Sequence, residues 1–217
     1  VEAMEETQGT QFLKQGRTQR SPTTDHPGND RFTMPIVTNE QLLSASWQGQ
    51  VDVLKQWRKQ NPGADVNKIA DCWGQTPLHE ACMCGKVSFA RHLIDSCNAD
   101  ITVTTNDGAD PLLVACRNGQ VECARYLIEE CKANVGTEDD YGGTPFYYAC
   151  RCRRLDCVEY LMKSGNARIN SQNSHGETPF HMACRNGHMH CVRYMVEFGD
   201  ADINCPDKDG HTCQLKR

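Results

Sequence analysis

Apolar residues recur along the chain with a period of 34 positions. Within each period they are three or four residues apart, which places them on one stripe of an α-helix. Four columns, each a set of positions one period apart, are apolar throughout: Val87, Val121, Leu155 and Met189; Ala90, Ala124, Val158 and Val192; Leu93, Leu127, Leu161 and Met195; Ile94, Ile128, Met162 and Val196. The pattern predicts one amphipathic helix per period, from about residue 86 to 96 in the first.

A second pattern predicts another helix before each of these. The motif reads GQTPLHEAC, GADPLLVAC, GGTPFYYAC and GETPFHMAC, and a shortened copy, GHTCQLKR, begins one period later at Gly210. The threonine or aspartate can cap a helix, and the proline after it tolerates the first helical position. The alanine is small enough for two helices to approach closely. Each period is therefore predicted to be a helix, a turn and a second helix.

A helix pair of this length that opens on TPLH resembles the ankyrin repeat family. The resemblance covers residues 38–217 and implies an all-α fold, an ankyrin-repeat solenoid of stacked helix-turn-helix units joined by β-turn loops. We expect a capping repeat, four full repeats and a partial repeat, with these bounds: 38–70, 71–104, 105–138, 139–172, 173–206 and 207–217. In this family the TPLH histidine ties neighbouring loops by hydrogen bonds. The resemblance implies that role for His79 and His181, and weaker ties where Leu113 and Tyr147 replace the histidine.

The two ends of the chain depart from the repeat. Residues 1–37 lack an apolar period and are rich in polar residues, so we expect a disordered leader. Within it, Arg20-Ser21-Pro22 resembles a proline-directed phosphorylation site. The partial repeat is either a polar half-repeat cap or the start of a further repeat in a chain that continues beyond Arg217, and we expect the second.

Composition narrows the possible partners and compartments. The formal net charge is −5, which gives no bulk attraction to nucleic acid or anionic lipid. No apolar run is long enough to span a membrane, so neither nucleic-acid binding nor membrane insertion is expected. Fourteen cysteines in a chain without a secretory signal favour reduced thiols inside the cell, in the cytoplasm or the nucleus.

Most cysteines fall in two of the columns, which favours packing over chemistry. Neighbouring helices lie about 8–10 Å apart, too far for disulfides along one column, so free buried thiols are expected. The sequence contains no C-x-x-C, H-E-x-x-H or phosphate-binding loop motif, and we predict no catalytic residue, metal or cofactor. The columns are Cys82, Cys116, Cys150 and Cys184, and Cys123, Cys157 and Cys191.

Residues that the period does not explain are the candidates for binding, since the columns are committed to packing. They lie one residue before each motif glycine, at the loop tips, and on the side of the first helix expected to be exposed, as Glu80, Val114, Tyr148 and Met182 do. We expect a partner peptide or domain with an acidic segment to dock around Tyr141, Tyr148 and Arg151, and alanine at positions 148 and 151 to leave thermal stability unchanged. The predicted partner-binding set is Trp73, Glu80, Met83, Asp107, Arg117, Tyr141, Tyr148, Arg151, His175 and Arg185.

These observations favour a monomeric scaffold or adaptor that binds another protein and has no catalytic activity. Two other functions remain open from the sequence. The array could be the targeting segment of a larger enzyme or channel, or the cysteines could serve a thiol-based redox or metal sensor.

Overall fold

The computed structural model describes residues 35–165 and 167–213, which form ten α-helices and no β-strand. The helices follow one another in five pairs. The predicted leader up to residue 34, with its phosphorylation motif, lies outside the described residues, as do residues 214–217. The helix bounds are α1 Asn39–Gln48, α2 Val51–Gln60, α3 Pro77–Met83, α4 Val87–Cys97, α5 Pro111–Asn118, α6 Val121–Glu129, α7 Pro145–Arg151, α8 Leu155–Lys163, α9 Pro179–Arg185 and α10 Met189–Phe198.

The first helix of each full repeat begins at the predicted proline. The residue before it is the N-cap in all four cases. In α5 the Asp110 carboxylate accepts the N–H of Leu113 at 2.8 Å, and in α7 the Thr144 hydroxyl accepts the N–H of Tyr147 at 3.1 Å. These bonds satisfy backbone donors that a helix N-terminus leaves free. The second helices also form, and α4 starts one residue later than predicted.

The helices stack in two layers with the core between them. First helices contact the first helices of neighbouring repeats, and second helices contact second helices. The alanine column is fully buried, as predicted, so the two helices of each pair approach closely at that position. One continuous apolar cluster runs from Val37 to Met195. Because each repeat touches only its neighbours, stability is approximately a sum of repeat and junction contributions.

The cysteine columns pack in this core as expected, with one exception to the free thiols. Twelve cysteines are free, whereas Cys184 and Cys213 are joined in a disulfide. Cys213 does not belong to the Cys184 column. It occupies the proline position of the partial repeat, and the loop before it brings its Cα to 6.5 Å from that of Cys184. The helix-spacing argument therefore does not apply to this pair.

The turn between α7 and α8 differs from its counterparts. The equivalent positions in the other full repeats are glycines with positive φ, whereas here Arg153 adopts φ 58°. A residue with a Cβ in this left-handed conformation costs about 1–2 kcal/mol. The third full repeat therefore carries local backbone strain that the other three avoid.

Replacing Arg153 by glycine should raise the free energy of unfolding by about 0.5–1 kcal/mol, because relief of the strain exceeds the added backbone entropy of glycine. Urea denaturation measures the change. Gly187→Ala is the matched reverse change, since no atom lies within 4 Å of an added Cβ there. It should destabilise by about 1 kcal/mol. Unchanged stability in Arg153→Gly would show that the turn is not strained.

Candidate functional site

The four described loop tips of the full repeats are held in a row by backbone hydrogen bonds. The carbonyl oxygens of Trp73, Asp107, Tyr141 and His175 each accept an N–H from the following loop, at 2.9, 3.1, 2.8 and 3.2 Å. Within most of these loops a side-chain oxygen two residues before the tip also accepts the tip N–H. The Asp139 carboxylate, for example, accepts the N–H of Tyr141 at 3.0 Å. The spacing of the tip side chains is therefore set before any partner binds.

Two tips carry exposed aromatic rings that line one cleft. The side chain of Trp73 is 62% exposed and that of Tyr141 is 57% exposed. Both line a cleft of about 340 Å³ together with Asp107 and Arg117. Although partial burial opposes ionisation of Asp107, its bonds with Thr105 and Arg117 lower its pKa. The cleft thus presents two rings beside an anchored ion pair.

The arginines behind the tips differ in their pairing. Arg117 pairs with Asp107, Nη1 to Oδ2 at 3.5 Å, and Arg185 pairs with Glu177. Arg151 is exposed and makes no ion pair within the described part of the chain. Its guanidinium carbon lies 5.8 Å from the centre of the Tyr148 ring. Arg151 is therefore the member of this row whose charge is not neutralised by a described carboxylate.

Tyr148 is buried, which corrects the expectation that it faces solvent. Only 6% of it is exposed, and its hydroxyl donates to Asp139 Oδ2 at 2.5 Å. Burial and this bond raise the pKa of Tyr148. Gly143 lies against one edge of the ring, while Arg117, at 5.9 Å from its centre, and Arg151 cover its faces. Tyr148 therefore supports the surface rather than forming it.

The same correction applies to two neighbouring positions. Val114 and Met182, expected on an exposed side, are also buried. The inner edges of the first helices instead form a second apolar cluster, because the large side chains of adjacent repeats meet there. Met83 packs against its margin. The cluster consists of Ala109, Leu113, Val114, Tyr147, Tyr148 and Met182.

Glu80, another predicted contact, is half-buried at the end of this cluster. Burial, and to a smaller extent the negative charge of Asp71, raises the pKa of Glu80 to about 7. Both protonation states are therefore populated near neutral pH. Glu80 offers no fixed negative charge to a partner.

The loop ties implied by the resemblance are present for one histidine only. The Nε2 N–H of His79 donates to the carbonyl of Ala109 at 3.2 Å, across to the next loop, while Nδ1 accepts the N–H of Thr76. Burial lowers the pKa of His79 to about 4, which keeps the ring neutral. The buried Nε2 of His181 has no partner among the described residues, because the partial repeat brings no carbonyl within reach.

The third full repeat has a tie that the sequence led us to expect to be weak. The Tyr147 hydroxyl accepts an N–H from the Asn173 side chain at 2.9 Å and donates to Glu177 Oε2 at 3.5 Å. Glu177 in turn pairs with Arg185. A tyrosine therefore replaces the histidine as a link to the next loop.

Sequence reasoning missed two groups of residues at this site. Asp139 and Glu177 are buried carboxylates that hold Tyr148 and Arg185 in place. A column of oxygen-bearing residues at 71, 105, 139, 173 and 207 could have indicated Asp139. Trp47 was also missed. It is 57% exposed and aligns with Met83 at the offset of 36 that relates the capping repeat to the next one, so it extends the arginine row.

Thiol chemistry and metal binding find little support in the geometry. Burial and a bond with Cys123 raise the pKa of the Cys82 thiol, and burial raises that of Cys150. In the described part of the chain, one group of potential ligands lies close together, Asp207 with Asp209 and His211. The Asp207 carboxylate there accepts the N–H groups of the other two residues at 3.0 and 2.8 Å, which is the geometry of a turn.

Paired helices at a constant period, capped at proline and linked through hydrogen-bonded loop tips, define a helical repeat protein. The chain belongs to the ankyrin repeat family. A family model described as ankyrin repeats (3 copies) matches residues 42–139 and 85–173, and one described as ankyrin repeats (many copies) matches residues 153–196. No curated protein matches the chain significantly. None of the described helices is both long and apolar enough to cross a membrane. Ankyrin repeats generally mediate protein–protein interaction.

Proposed function

We propose that this chain is a monomeric scaffold or adaptor without catalytic activity, which binds an acidic segment of a partner protein across its loop tips and arginine row. The observation that carries the proposal is Arg151, an exposed guanidinium without a described carboxylate partner. It is held beside the exposed ring of Tyr141 by the Tyr148–Asp139 bond. Arginine and tyrosine are the residues most enriched where binding energy concentrates at interfaces.

The surroundings favour an acidic ligand at this point. Arg117 and Arg185 on either side are paired within the chain, so a partner carboxylate gains most at Arg151. A planar guanidinium binds a carboxylate through two parallel hydrogen bonds. Because the tips are already ordered by their backbone bonds, little loop entropy is lost on binding.

The other predicted residues form the ends of the same surface. Trp73 and Asp107 continue it through the 340 Å³ cleft, with Met83 and Glu80 behind them. His175 and Arg185 continue it on the other side of Tyr141. We assign these residues to specificity and the centre to affinity, since binding energy is concentrated in few residues. The twelve free cysteines suit a reducing compartment, which places the protein in the cytoplasm or nucleus.

Panning of a random peptide library on the purified chain tests the proposal. Enriched peptides should be rich in aspartate and glutamate. The double variant Tyr141→Ala/Arg151→Ala should bind them at least about tenfold more weakly, because a carboxylate partner and an aromatic contact are lost together. Fluorescence anisotropy with a labelled enriched peptide measures the affinity.

The matched control removes an exposed aromatic ring and an arginine elsewhere. Arg193→Ala/Phe198→Ala changes the same two residue classes on α10, away from the tips. It should leave peptide affinity within about twofold of wild type. Equal loss in both double variants, or enrichment of peptides without acidic residues, would overturn the proposal.

A further inference from the structure

The outward face of α10, at the end of the stack, is less covered than the same face of the earlier repeats. Three apolar columns define it, and in the first three full repeats all their members are half-buried and packed against the core. In the fourth, Met189, Val196 and Ile203 are 47%, 51% and 48% exposed. The nine covered members are Val87, Val121 and Leu155; Ile94, Ile128 and Met162; and Ile101, Val135 and Ile169.

The group that covers these columns inside the stack is the following repeat. Gly199, just after α10, shows this directly. A Cβ added to it would lie 2.6 Å from Met162 Cε and 3.4 Å from Ile169 Cδ1. The face of α10 is thus a continuation of an interface that the chain forms three times. What fits it is another helix packed as a second helix packs.

A fourth column adds a chemical requirement to this face. Arg91 lies over the ring of Tyr126 in the next repeat, 4.4 Å from its centre, and Arg125 lies over Tyr160 at 5.5 Å. Arg193, in the same column on α10, is exposed and forms no ion pair or ring contact within the described residues. A guanidinium over an aromatic ring is worth about 0.5–1 kcal/mol at an exposed site. The face therefore presents an arginine where the first two junctions supply a tyrosine.

The uncovered surface is one helix wide. The loop of the partial repeat lies beside α9, where the N–H of Lys208 donates to the carbonyl of His175 at 3.2 Å. Cys213, joined to Cys184 of α9, packs against the core. The first-helix layer is therefore covered at this end by described residues, and the second-helix layer is not.

We propose that Met189, Arg193, Val196 and Ile203 form a docking face for one amphipathic α-helix of a partner protein, which places an aromatic residue over Arg193. The helix packs on α10 as α8 packs on α6. This face is separate from the loop tips and does not depend on the function proposed for them.

A peptide with the sequence of residues 155–165, stabilised as a helix by a hydrocarbon staple, is the probe. It contains α8, which covers Val121, Arg125 and Ile128, the counterparts of Met189, Arg193 and Val196. Titration into the full chain is followed by methyl NMR. Methyl signals of Met189, Val196 and Ile203 should shift together, whereas those of buried Leu127 should not.

Two substitutions test the chemistry of the contact. A peptide with Tyr160→Ala, and the chain with Arg193→Glu, should each show about threefold weaker binding, the size expected for one exposed cation–π contact. Lys59→Glu on α2 is the charge-matched control and should bind like wild type. Absence of shifts at the three methyl groups, or equal binding by all variants, would overturn the proposal. Shifts of the same methyl groups on concentrating the chain without peptide would also overturn it, since they would assign the face to a second copy.

Discussion

Replacing Leu127 by alanine should lower the free energy of unfolding by about 2–5 kcal/mol, the largest loss that one aliphatic truncation produces. Leu127 is fully buried in α6, in the middle of the stack, so the removed atoms leave a cavity that both neighbouring repeats line. Because repeat stabilities are coupled through junctions, the loss should spread beyond α6. Urea denaturation gives the free energy, and amide hydrogen exchange should show lower protection in α4, α6 and α8.

Ile203→Ala is the control for this substitution. It also removes three carbon atoms, but from a side chain that is 48% exposed. We expect a change within about 0.5 kcal/mol, since surface substitutions away from packed groups have small effects. A loss below about 1 kcal/mol in Leu127→Ala would mean that the stack closes around the cavity, contrary to a tightly packed junction.

The fold could be predicted from the period because a repeat protein is built from contacts between neighbours. Four motif copies in register fix where helices start, and the columns fix which side chains lie between them. Thr144 and Asp110 cap α7 and α5 as their positions in the motif indicated. The one-residue shift of α4 is the usual uncertainty of a helix boundary. Position in the period was sufficient information for these features.

The inner edge of the first helices could not be predicted in the same way. Whether Glu80 or Tyr148 is exposed depends on what the neighbouring loops place against it, although both occupy one column. Tyr148 is covered because two arginines and Gly143 surround its ring and Asp139 accepts its hydroxyl proton. Glu80 has no such cover and stays half-exposed. Periodicity predicts positions, and the side chains that meet there decide burial.

Tyr148→Ala should lower the free energy of unfolding by about 3–5 kcal/mol, the range for truncating a buried aromatic ring. The ring fills the middle of the second apolar cluster, and its loss also leaves Asp139 without the hydroxyl donor. Urea denaturation of single variants measures the change. Tyr141→Ala is the matched control, because the same truncation at a ring that is 57% exposed should cost no more than about 0.5 kcal/mol.

Tyr148→Phe separates the two parts of this effect. It keeps the ring between the arginines and removes only the hydroxyl, so we expect a loss of about 1–2 kcal/mol. The Asp139 carboxylate still accepts the N–H groups of Tyr141 and Gly143 at 3.0 and 2.8 Å, which limits the cost. If Tyr148→Ala were instead as stable as wild type, the ring would not be a packing element. Because Tyr148 supports Arg151 from below, a binding defect in Tyr148→Ala reports a collapsed surface, whereas one in Arg151→Ala at full stability reports a lost contact.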